Sequence, residues 1–547
     1  MASIFFRKNK HIIQQIVRRQ GYLPTLNEAI QYILIIQHGP VPQKEKVIIK
    51  ENTLRKSYKS LPIKKKRKEQ QITNLESIFL MESTHPKEEK PIEKIRDTSY
   101  QNEMIKEQVS LNVKKSEKIT EEFLEKSLKE DNLVHILDHA YPEEHKELTE
   151  LKRIKRLRKK AFLKVLKVIN PYNIEDTPEA FRKFFLSRYE MLKKILVKKM
   201  SGGFEDNNTD LIVLVREVID YNNYGIIIGE YLTDDDEITN GLFLVSFNHD
   251  EGVLKEKFNH IIPDVVIGLR VKKTSRGKFI VNDIIFPDVP RLGRRGRASE
   301  DTYVLFLSDI HLGSKKFIKE MFLRFLDFVN GAVNDKELKE YAEKLDYIII
   351  LGDIVDGVGV YPDQKNELEI PNIYDQYLKI SEYLEQIPED IDIIIIPGNH
   401  DAAGNFIPQP PIPVKIAEPL YNLKNVKILS NPAMIEIENV KMLLYHGYGL
   451  EKIASMLHMG IEKPTRIINE LLRYRHLIPT WGSIPLAPLS EDHLVIYEVP
   501  DIIAMGHLHI FDARVAKGNI LTIVPGSFQD ITSRQKRLSI VPTPGVF

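Results

Sequence analysis

The chain has 547 residues, in which 78 lysines and arginines nearly balance 77 aspartates and glutamates, and it contains no cysteine. This length predicts two to four domains, and the lack of cysteine excludes disulfides, iron–sulfur clusters and thiolate zinc sites. No apolar run reaches the roughly 18 residues that a membrane span needs, and the N-terminus lacks the pattern of a secretory signal. We therefore expect a cytoplasmic protein with no membrane partner.

The N-terminal region is basic at first and then rich in polar residues. Residues 1–68 hold 16 lysines and arginines against 3 acidic residues. Such a block is often simply solvated, although some blocks bind phosphate backbones. Apolar residues at helical spacing predict a small helical unit over 1–50. The polar composition that follows predicts a flexible charged linker over 51–130.

A helical segment is predicted over 131–204. Its first part is highly charged and has a helical pattern over 144–168. A better-marked helix covers 181–200, because Thr177 can cap it and Pro178 suits its first turn.

The pattern changes to short apolar runs over 205–290. Five strand candidates separated by turn-rich loops fit a small barrel of the OB type. The candidates are 211–219, 224–231, 242–247, 265–271 and 279–286. Such barrels often bind single-stranded nucleic acid, and the alternative is a barrel used only for protein contacts. The sequence leaves both open, because no row of exposed aromatic residues marks a stacking platform.

A basic linker, 291–300, leads to a C-terminal α/β domain predicted over 301–547, where strands alternate with helical segments such as 318–329 and 373–384.

Five aliphatic runs in this domain are each followed by polar residues, at the strand ends where α/β sheets place their sites. These residues read Asp309-Ile310-His311, Gly352-Asp353-Ile354-Val355-Asp356, Gly398-Asn399-His400-Asp401, His446-Gly447 and Gly506-His507-Leu508-His509. Each motif is weak alone, but five in this context form a strong signal. Mixed carboxylate, amide and imidazole ligands suit a pair of divalent ions.

This ordered set resembles the calcineurin-like metallophosphoesterase superfamily, which implies an α/β sandwich with one ligand set for each of two ions. The resemblance implies that the first set is Asp309, His311 and His509, that the second set is Asn399, His446 and His507, and that Asp353 bridges the two. Mn²⁺ is the expected ion, and Fe²⁺, Zn²⁺ and Mg²⁺ are compatible with the same ligands. Paired ions of this kind activate a water molecule for attack on phosphorus and stabilise the phosphoryl oxygens.

Two further residues are candidate catalytic groups by the same resemblance. His400 resembles the general acid of the superfamily, which donates a proton to the leaving oxygen or stabilises the transition state. Asp356 matches the carboxylate that orients this imidazole in several relatives. The alternative is an aspartate that only stabilises its own loop through backbone hydrogen bonds. We expect Asp401 to fix the loop rather than to bind metal.

From about residue 205 to the end, the chain also resembles the small subunits of archaeal family D DNA polymerases. The resemblance is carried by Pro410-Pro411, Arg473-Tyr474-Arg475-His476-Leu477-Ile478-Pro479-Thr480, Ile484-Pro485-Leu486-Ala487-Pro488, Val495-Ile496-Tyr497-Glu498-Val499-Pro500-Asp501, Gly526-Ser527-Phe528-Gln529 and Pro542-Thr543-Pro544-Gly545. The N-terminal 200 residues carry no comparable signature.

The resemblance implies a nucleoid-associated, metal-dependent 3′–5′ DNA exonuclease that proofreads the single-stranded 3′ end of a primer. It also implies a heterodimer with a large polymerising subunit, and the N-terminal region is a candidate for recruiting a sliding clamp or other replication factors. The alternative is a mainly structural scaffold subunit with a dispensable phosphoesterase site. The eukaryotic relatives have lost ligands and act as scaffolds, whereas every ligand position is filled here, which favours the enzyme.

Overall fold

The computed structural model describes residues 163–546, apart from gaps at 170–176, 202–208, 234, 236, 248–251, 276, 291–295, 300, 539–540 and 544. These residues all belong to one of the two compact units of the chain, Lys114–Phe547. The predicted helical unit at 1–50 and the linker at 51–130 lie outside the described residues. So do residues 131–162 of the predicted helical segment and most of the basic linker.

The described elements form a barrel, two sheets and the helices that cover them. The strands are β1 (Leu163–Lys167), β2 (Thr209–Asp220), β3 (Tyr224–Leu232), β4 (Ile238–Ser246), β5 (Val266–Lys273), β6 (Phe279–Ile285), β7 (Tyr303–Leu307), β8 (Leu345–Ile350), β9 (Asp392–Ile395), β10 (Val426–Ile428), β11 (Ala433–Ile437), β12 (Val440–Tyr445), β13 (Ile502–Met505), β14 (Asp512–Ala516) and β15 (Ile520–Val524). The helices are α1 (Pro178–Met200), α2 (Val253–Asn259), α3 (Lys319–Val329), α4 (Lys336–Lys344), α5 (Ile373–Leu384), α6 (Val414–Tyr421), α7 (Leu450–Met456), α8 (Pro464–Tyr474) and α9 (Ser533–Leu538).

The predicted barrel of five strands is confirmed, and the structure shows that it is closed. It closes in the order β2-β3-β4-β6-β5, with β4 and β6 parallel and the remaining pairs antiparallel. The short helix α2, which the sequence pattern did not predict, lies between β4 and β5 along the chain. Buried aliphatic and aromatic residues fill the barrel, and the same apolar cluster continues into α7 and α8.

Two sheets in the C-terminal part share an apolar core. The smaller sheet is parallel, in the order β10-β9-β8-β7, and the larger is mixed, in the order β1-β11-β12-β13-β15-β14. Side chains alternate along a strand, so Phe306 and Tyr347 enter the core shared by both sheets, whereas Leu305 and Ile348 pack with α3 and α5. Both faces of the parallel sheet are therefore covered, as such sheets require.

The helix predicted over 144–168 is wrong for its last part. Residues Leu163–Lys167 form β1, which pairs antiparallel with β11 at the edge of the larger sheet, from Leu163 opposite Ile437 to Lys167 opposite Met434. The unpaired backbone groups of a sheet edge attract a further strand, and this tertiary pairing overrides the local helical pattern. The helix with Thr177 at its N-cap is present as α1.

A buried ion cluster joins α1 to the C-terminal part of the chain. The Nε of Arg188, a residue 1% exposed, donates to Asp492 Oδ2 at 2.6 Å, and His476 Nε2 lies 3.0 Å from the same oxygen. The Nδ1 of His476 accepts from the backbone N–H of Ile478, so the neutral ring donates from Nε2. Burial and the charge of Arg188 lower the pKa of His476 to about 4. Burial alone would raise the pKa of Asp492, but Arg188 and His476 together outweigh burial and hold that pKa below its ordinary value.

We expect the free energy of unfolding to fall as the pH drops from about 6.5 to about 4. In this window the unfolded chain protonates His476 while the folded chain does not, so acid favours the unfolded state. Denaturant titrations at stepped pH values test this expectation, with His476→Gln as the matched variant. Glutamine keeps a neutral donor but cannot titrate, so its pH dependence should be flatter. An equally steep dependence in the variant would assign the effect to another group.

Among the described residues, no helix is both long enough and apolar enough to cross a membrane.

Candidate active site

The side chains that the sequence motifs singled out lie where the strands of both sheets end. The arrangement follows from topology, because parallel neighbouring strands bring their carboxyl ends to one edge of a sheet. Asp309 and His311 follow β7, Asp353 and Asp356 follow β8, Asn399 and His400 follow β9, His446 follows β12, and His507 and His509 follow β13. The structure brings all nine into one cluster. Three groups in it place ligand atoms within 4.8 Å of one another: Asp309, His311 and His509; His311, Asp353 and His400; and Asp353, His446 and His507.

The first ligand set is buried and tightly grouped. The Nε2 atoms of His311 and His509 lie 3.1 Å apart. The Oδ1 of Asp309 lies 3.3 Å from Nε2 of His509 and 3.8 Å from Nε2 of His311. All three residues are at most 6% exposed. A small cation can therefore be reached by two imidazoles and one carboxylate from two separate loops.

The second ligand set lies on the other side of Asp353. The Nε2 of His446 lies 3.1 Å from the side-chain oxygen of Asn399 and 3.3 Å from Oδ2 of Asp353. The same Oδ2 of Asp353 lies 3.7 Å from Nε2 of His311, which belongs to the first set. The ring of His507 faces that of His446, with centroids 5.2 Å apart. Asp353 is thus the carboxylate that both sets share.

Five candidate ligands adopt backbone conformations that L residues seldom take. Positive φ values are found at Asp309 (52°), His311 (52°), Asp353 (51°), His507 (74°) and His509 (59°). Each such residue costs on the order of 1–3 kcal/mol and persists only where its surroundings hold it. Backbone hydrogen bonds between loops supply that support: Asp309 N–H donates to the carbonyl of Gly352, and His311 N–H to that of Asp353. Strain concentrated at the polar cluster is typical of a functional site.

Two glycines allow the loops to approach one another. A Cβ on Gly398 would lie 2.1 Å from Oδ1 of Asp353, and a Cβ on Gly352, whose φ is +92°, would lie 2.7 Å from Nδ1 of His446. Any side chain at either position would displace a candidate ligand, so both glycines are needed for the cluster to form.

The residues present fit a divalent cation. Within the part of the chain that the structure describes, Oδ1 of Asp309 is buried without a hydrogen-bond partner. Buried carboxylate oxygens are normally paired, so this atom marks a place for a bound cation. Carboxylate, amide and imidazole donors together match first-row divalent metals. The buried aspartate and histidine groups can therefore hold a metal ion.

The charges of the cluster support the same conclusion. Burial alone would raise the pKa of Asp309 and of Asp353, but facing histidines outweigh it and hold both below the ordinary value. Burial alone would lower the pKa of His446, but Asp353 raises it to about 9. The carboxylates are thus ionised and attract positive charge, from a proton or from a metal ion.

His400 lies beside the cluster and is held by two hydrogen bonds. Its Nδ1–H donates to the carbonyl oxygen of Asp356 at 2.7 Å, and its backbone N–H donates to Oδ1 of Asp353 at 2.8 Å. Burial lowers the pKa of His400 to about 4, so its ring is neutral near pH 7. Because Nδ1 is engaged, Nε2 is the nitrogen left for a substrate.

The carboxylate of Asp356 is directed at His311 rather than at His400, which differs from the sequence expectation. Oδ1 lies 3.1 Å from Nδ1 of His311 and accepts from Nε2 of Gln529 at 2.9 Å. Oδ2 accepts from Nε2 of Gln364 at 3.1 Å. Asp356 thus orients two histidines with different atoms, one with its carboxylate and the other with its backbone carbonyl.

Asp401 holds its loop, as expected. Its Oδ2 accepts from the backbone N–H of Gly398 at 2.8 Å, and its Oδ1 accepts from the hydroxyl of Tyr377 at 3.2 Å. Burial and the nearby Asp353 raise the pKa of Asp401 to about 7.

The sequence analysis did not identify several residues that lie near the cluster, and four of them contact its histidines. Glu451 at the start of α7 places Oε2 3.4 Å from Nε2 of His507, and Gln535 in α9 places Nε2 2.8 Å from Nδ1 of His509. Tyr448 and Tyr361 flank the site, with ring centroids 5.6 Å and 6.2 Å from those of His507 and His400. A weak signal existed for Tyr448 and Glu451, because both closely follow His446 in the chain. Gln535 belongs to none of the motifs.

Comparison of the sequence with known protein families identifies the class of protein to which this fold and site belong. Residues 304–512, which carry all nine side chains of the cluster, match the family of the B subunits of DNA polymerases alpha and epsilon. The class is therefore that of the B-type subunits of DNA polymerases.

The relatives narrow this class. The chain is 38% identical over 380 residues to the DNA polymerase II small subunit of Pyrococcus abyssi, covering 67% of this chain and 60% of that relative. It is 37% identical to the same subunit of Methanothermobacter thermautotrophicus, covering 66% of this chain and 75% of that relative. The subunit of Archaeoglobus fulgidus is 36% identical, with 70% and 77% covered. The chain belongs to the small subunits of archaeal DNA polymerase II, the family D polymerases, and it spans about 60% of the length of the Pyrococcus relative.

Proposed function

We propose that this protein is a metal-dependent 3′–5′ proofreading exonuclease that hydrolyses the 3′-terminal phosphodiester bond of DNA and supports a large polymerising subunit. The observation that carries the proposal is the complete donor set. Seven candidate ligands and His400 lie in one cluster, and none of these positions is replaced by a side chain that cannot bind metal. A purely structural subunit would have no need of a buried carboxylate oxygen without a hydrogen-bond partner, such as Oδ1 of Asp309.

The donor set supports a site for two divalent ions, with Mn²⁺ expected first. Asp309, His311 and His509 would hold one ion, Asn399, His446 and His507 the other, and Asp353 would serve both. A pair of bound ions lowers the pKa of a water molecule and stabilises charge on the phosphoryl oxygens during in-line displacement. On this proposal, the two packed sheets would correspond to the α/β sandwich of the calcineurin-like metallophosphoesterases.

The remaining chemistry belongs to His400 and Asp356. The Asp356 carbonyl accepts the Nδ1 proton of His400, so Nε2 is directed to the leaving 3′-oxygen. The negative charge of a phosphodiester beside the ring favours protonation of Nε2. The resulting imidazolium can donate the Nε2 proton to the leaving oxygen. The Asp356 carboxylate meanwhile holds the ring of His311. The products are a nucleoside monophosphate and a primer shortened by one residue with a free 3′-hydroxyl.

The proposed partners are DNA and the large polymerase subunit. A five-stranded barrel of the OB type at 205–290 would contact either a single strand or the large subunit. Recruitment of a clamp or another replication factor would fall to the N-terminal region, outside the described residues.

The proposal is tested with a 5′-labelled primer that ends in a 3′ mismatch. Purified protein, alone and with the large subunit, is incubated with Mn²⁺, and parallel samples contain a chelator. We expect stepwise shortening from the 3′ end that the chelator stops. Formation of a complex with the large subunit without any shortening of the primer would leave only the scaffold role.

A further inference from the structure

The described residues of the C-terminal segment, 527–538 and 541–543, contact the loops of the first ligand set at both ends of the segment. Ser527 Oγ and the backbone N–H of Phe528 both donate to the carbonyl of Asp309, at 2.9 and 3.1 Å. Near the other end of the segment, the N–H of Thr543 donates to the carbonyl of His509 at 2.7 Å. The described residues between these ends include Gln529, whose side chain contacts the Asp356 carboxylate, and Gln535, whose side chain contacts His509 of this ligand set.

Two of the candidate ligands are oriented in the way that suits metal binding. The Nδ1 of His446 lies 2.7 Å from the carbonyl of Leu351, and the Nδ1 of His311 lies 3.1 Å from the carboxylate of Asp356. An acceptor at Nδ1 keeps the ring proton there and leaves the Nε2 lone pair for a cation.

His509 differs, because its Nδ1 faces an amide. The side-chain oxygen of Gln535 accepts from the backbone N–H of Thr532 at 2.8 Å and from its hydroxyl at 3.1 Å. A backbone N–H can only donate, so the amide oxygen of Gln535 must lie on that side and its NH₂ group must face His509. The Nδ1 of His509 is therefore an acceptor, at 2.8 Å from the amide nitrogen.

This arrangement decides where the proton of His509 lies. A neutral imidazole that accepts at one nitrogen carries its proton on the other, so Nε2 of His509 is protonated. That nitrogen lies 3.1 Å from Nε2 of His311 and 3.3 Å from Oδ1 of Asp309, between the other two members of the first ligand set. The proton on Nε2 of His509 occupies the atom that a cation in the first set would need.

Building on the metal site of the proposed function, we propose that Gln535 is a positioning residue that weakens cation binding by the first ligand set. A cation held by Nε2 of His509 requires the ring proton at Nδ1, where it would meet the NH₂ group of Gln535. The side-chain amide of Gln535 must then rotate by about 180°. The backbone N–H of Thr532 thereby loses its acceptor. In the second ligand set, Nδ1 of His446 already faces the carbonyl of Leu351, so no side chain has to rotate there before a cation binds. The first set is therefore the lower-affinity position of the two.

The substitution Gln535→Glu tests this inference. A glutamate has the same length and can accept from both Thr532 N–H and His509 Nδ1–H, which gives the carboxylate–histidine pairing that favours metal binding. Titration of the full chain with Mn²⁺, followed by calorimetry and by the spectroscopic signal of free Mn²⁺, resolves the two affinities. We expect the weaker affinity to rise about 10- to 100-fold, the usual range for such outer contacts. The stronger affinity should change little.

Gln529→Glu is the matched control. It adds the same negative charge from the same segment, but its wild-type amide donates to the Asp356 carboxylate, so the new glutamate would face another carboxylate. We expect no increase in the weaker affinity for Mn²⁺. An equal increase in both variants would show a general charge effect and overturn the inference, as would an unchanged or reduced affinity in Gln535→Glu.

A second measurement uses the wild-type protein, so it does not depend on how a variant folds. Nitrogen chemical shifts of ¹⁵N-histidine-labelled, metal-free protein report which ring nitrogen of His509 carries the proton. The inference requires the proton on Nε2, and a proton on Nδ1 would overturn it. Failure of the proposed function itself gives a different result, namely wild-type protein that binds no Mn²⁺ at this cluster.

Discussion

Replacing Asp353 with asparagine should reduce the rate of primer shortening in Mn²⁺ by about 1000-fold or more, because the loss of several kcal/mol of transition-state stabilisation corresponds to this factor. One oxygen of Asp353 faces histidines of both ligand sets, at 3.3 Å from His446 and 3.7 Å from His311. Asparagine keeps the shape but loses the charge, and it turns one acceptor into a donor. Single-turnover rates and bound Mn²⁺ per chain should fall together.

Asp392→Asn is the control for this substitution. Asp392 lies at the start of β9, the strand whose far end leads to Asn399, and its carboxylate pairs with Lys427 at 3.4 Å. The same chemical change there should leave both the rate and the metal content near wild type. A near-normal rate in a folded Asp353→Asn variant would show that this cluster does not catalyse the reaction.

Replacing His400 with alanine should lower the rate by about 10²- to 10⁴-fold, the range that general acid–base catalysis contributes. In contrast to Asp353→Asn, the bound Mn²⁺ should be retained, because His400 belongs to neither ligand set. The two variants therefore separate loss of metal from loss of proton transfer. The exposed His458, substituted by glutamine, serves as a control with no expected effect.

A substrate with a better leaving group distinguishes proton donation from a structural role of His400. The p-nitrophenyl ester of thymidine 5′-monophosphate releases a phenolate that needs no proton. If His400 is the general acid, the alanine variant should lose much less activity on this ester than on DNA. An equal loss on both substrates would mean that the imidazole stabilises the site instead.

The sequence predicted the features that depend on residues close together along the chain. The barrel strands were placed from their period and turns, and each ligand was placed because a polar group directly follows an aliphatic strand. Parallel pairing then brings Asp309, Asp353 and Asn399 together without further information. The same reasoning failed for Leu163–Lys167, because pairing with β11 is a long-range contact that a local charged pattern does not contain.

The remaining features depend on distances that no local pattern records. No local pattern records the left-handed backbone at Asp309, His311 and Asp353, or the contact of the Asp356 carboxylate with His311. Gln535 reaches His509 across 26 residues of sequence, from a helix that resembles a surface segment when taken alone.

The most direct test of the two-metal site is a crystal structure of the full chain with Mn²⁺, using anomalous scattering to locate the ions. We expect two anomalous peaks in the cluster: one among Asp309, His311 and His509, and one among Asn399, His446 and His507. Asp353 should lie between them, and the peak beside His509 should have the lower occupancy at limiting Mn²⁺. A map with no peak in this cluster, or with Mn²⁺ bound only elsewhere, would contradict the account.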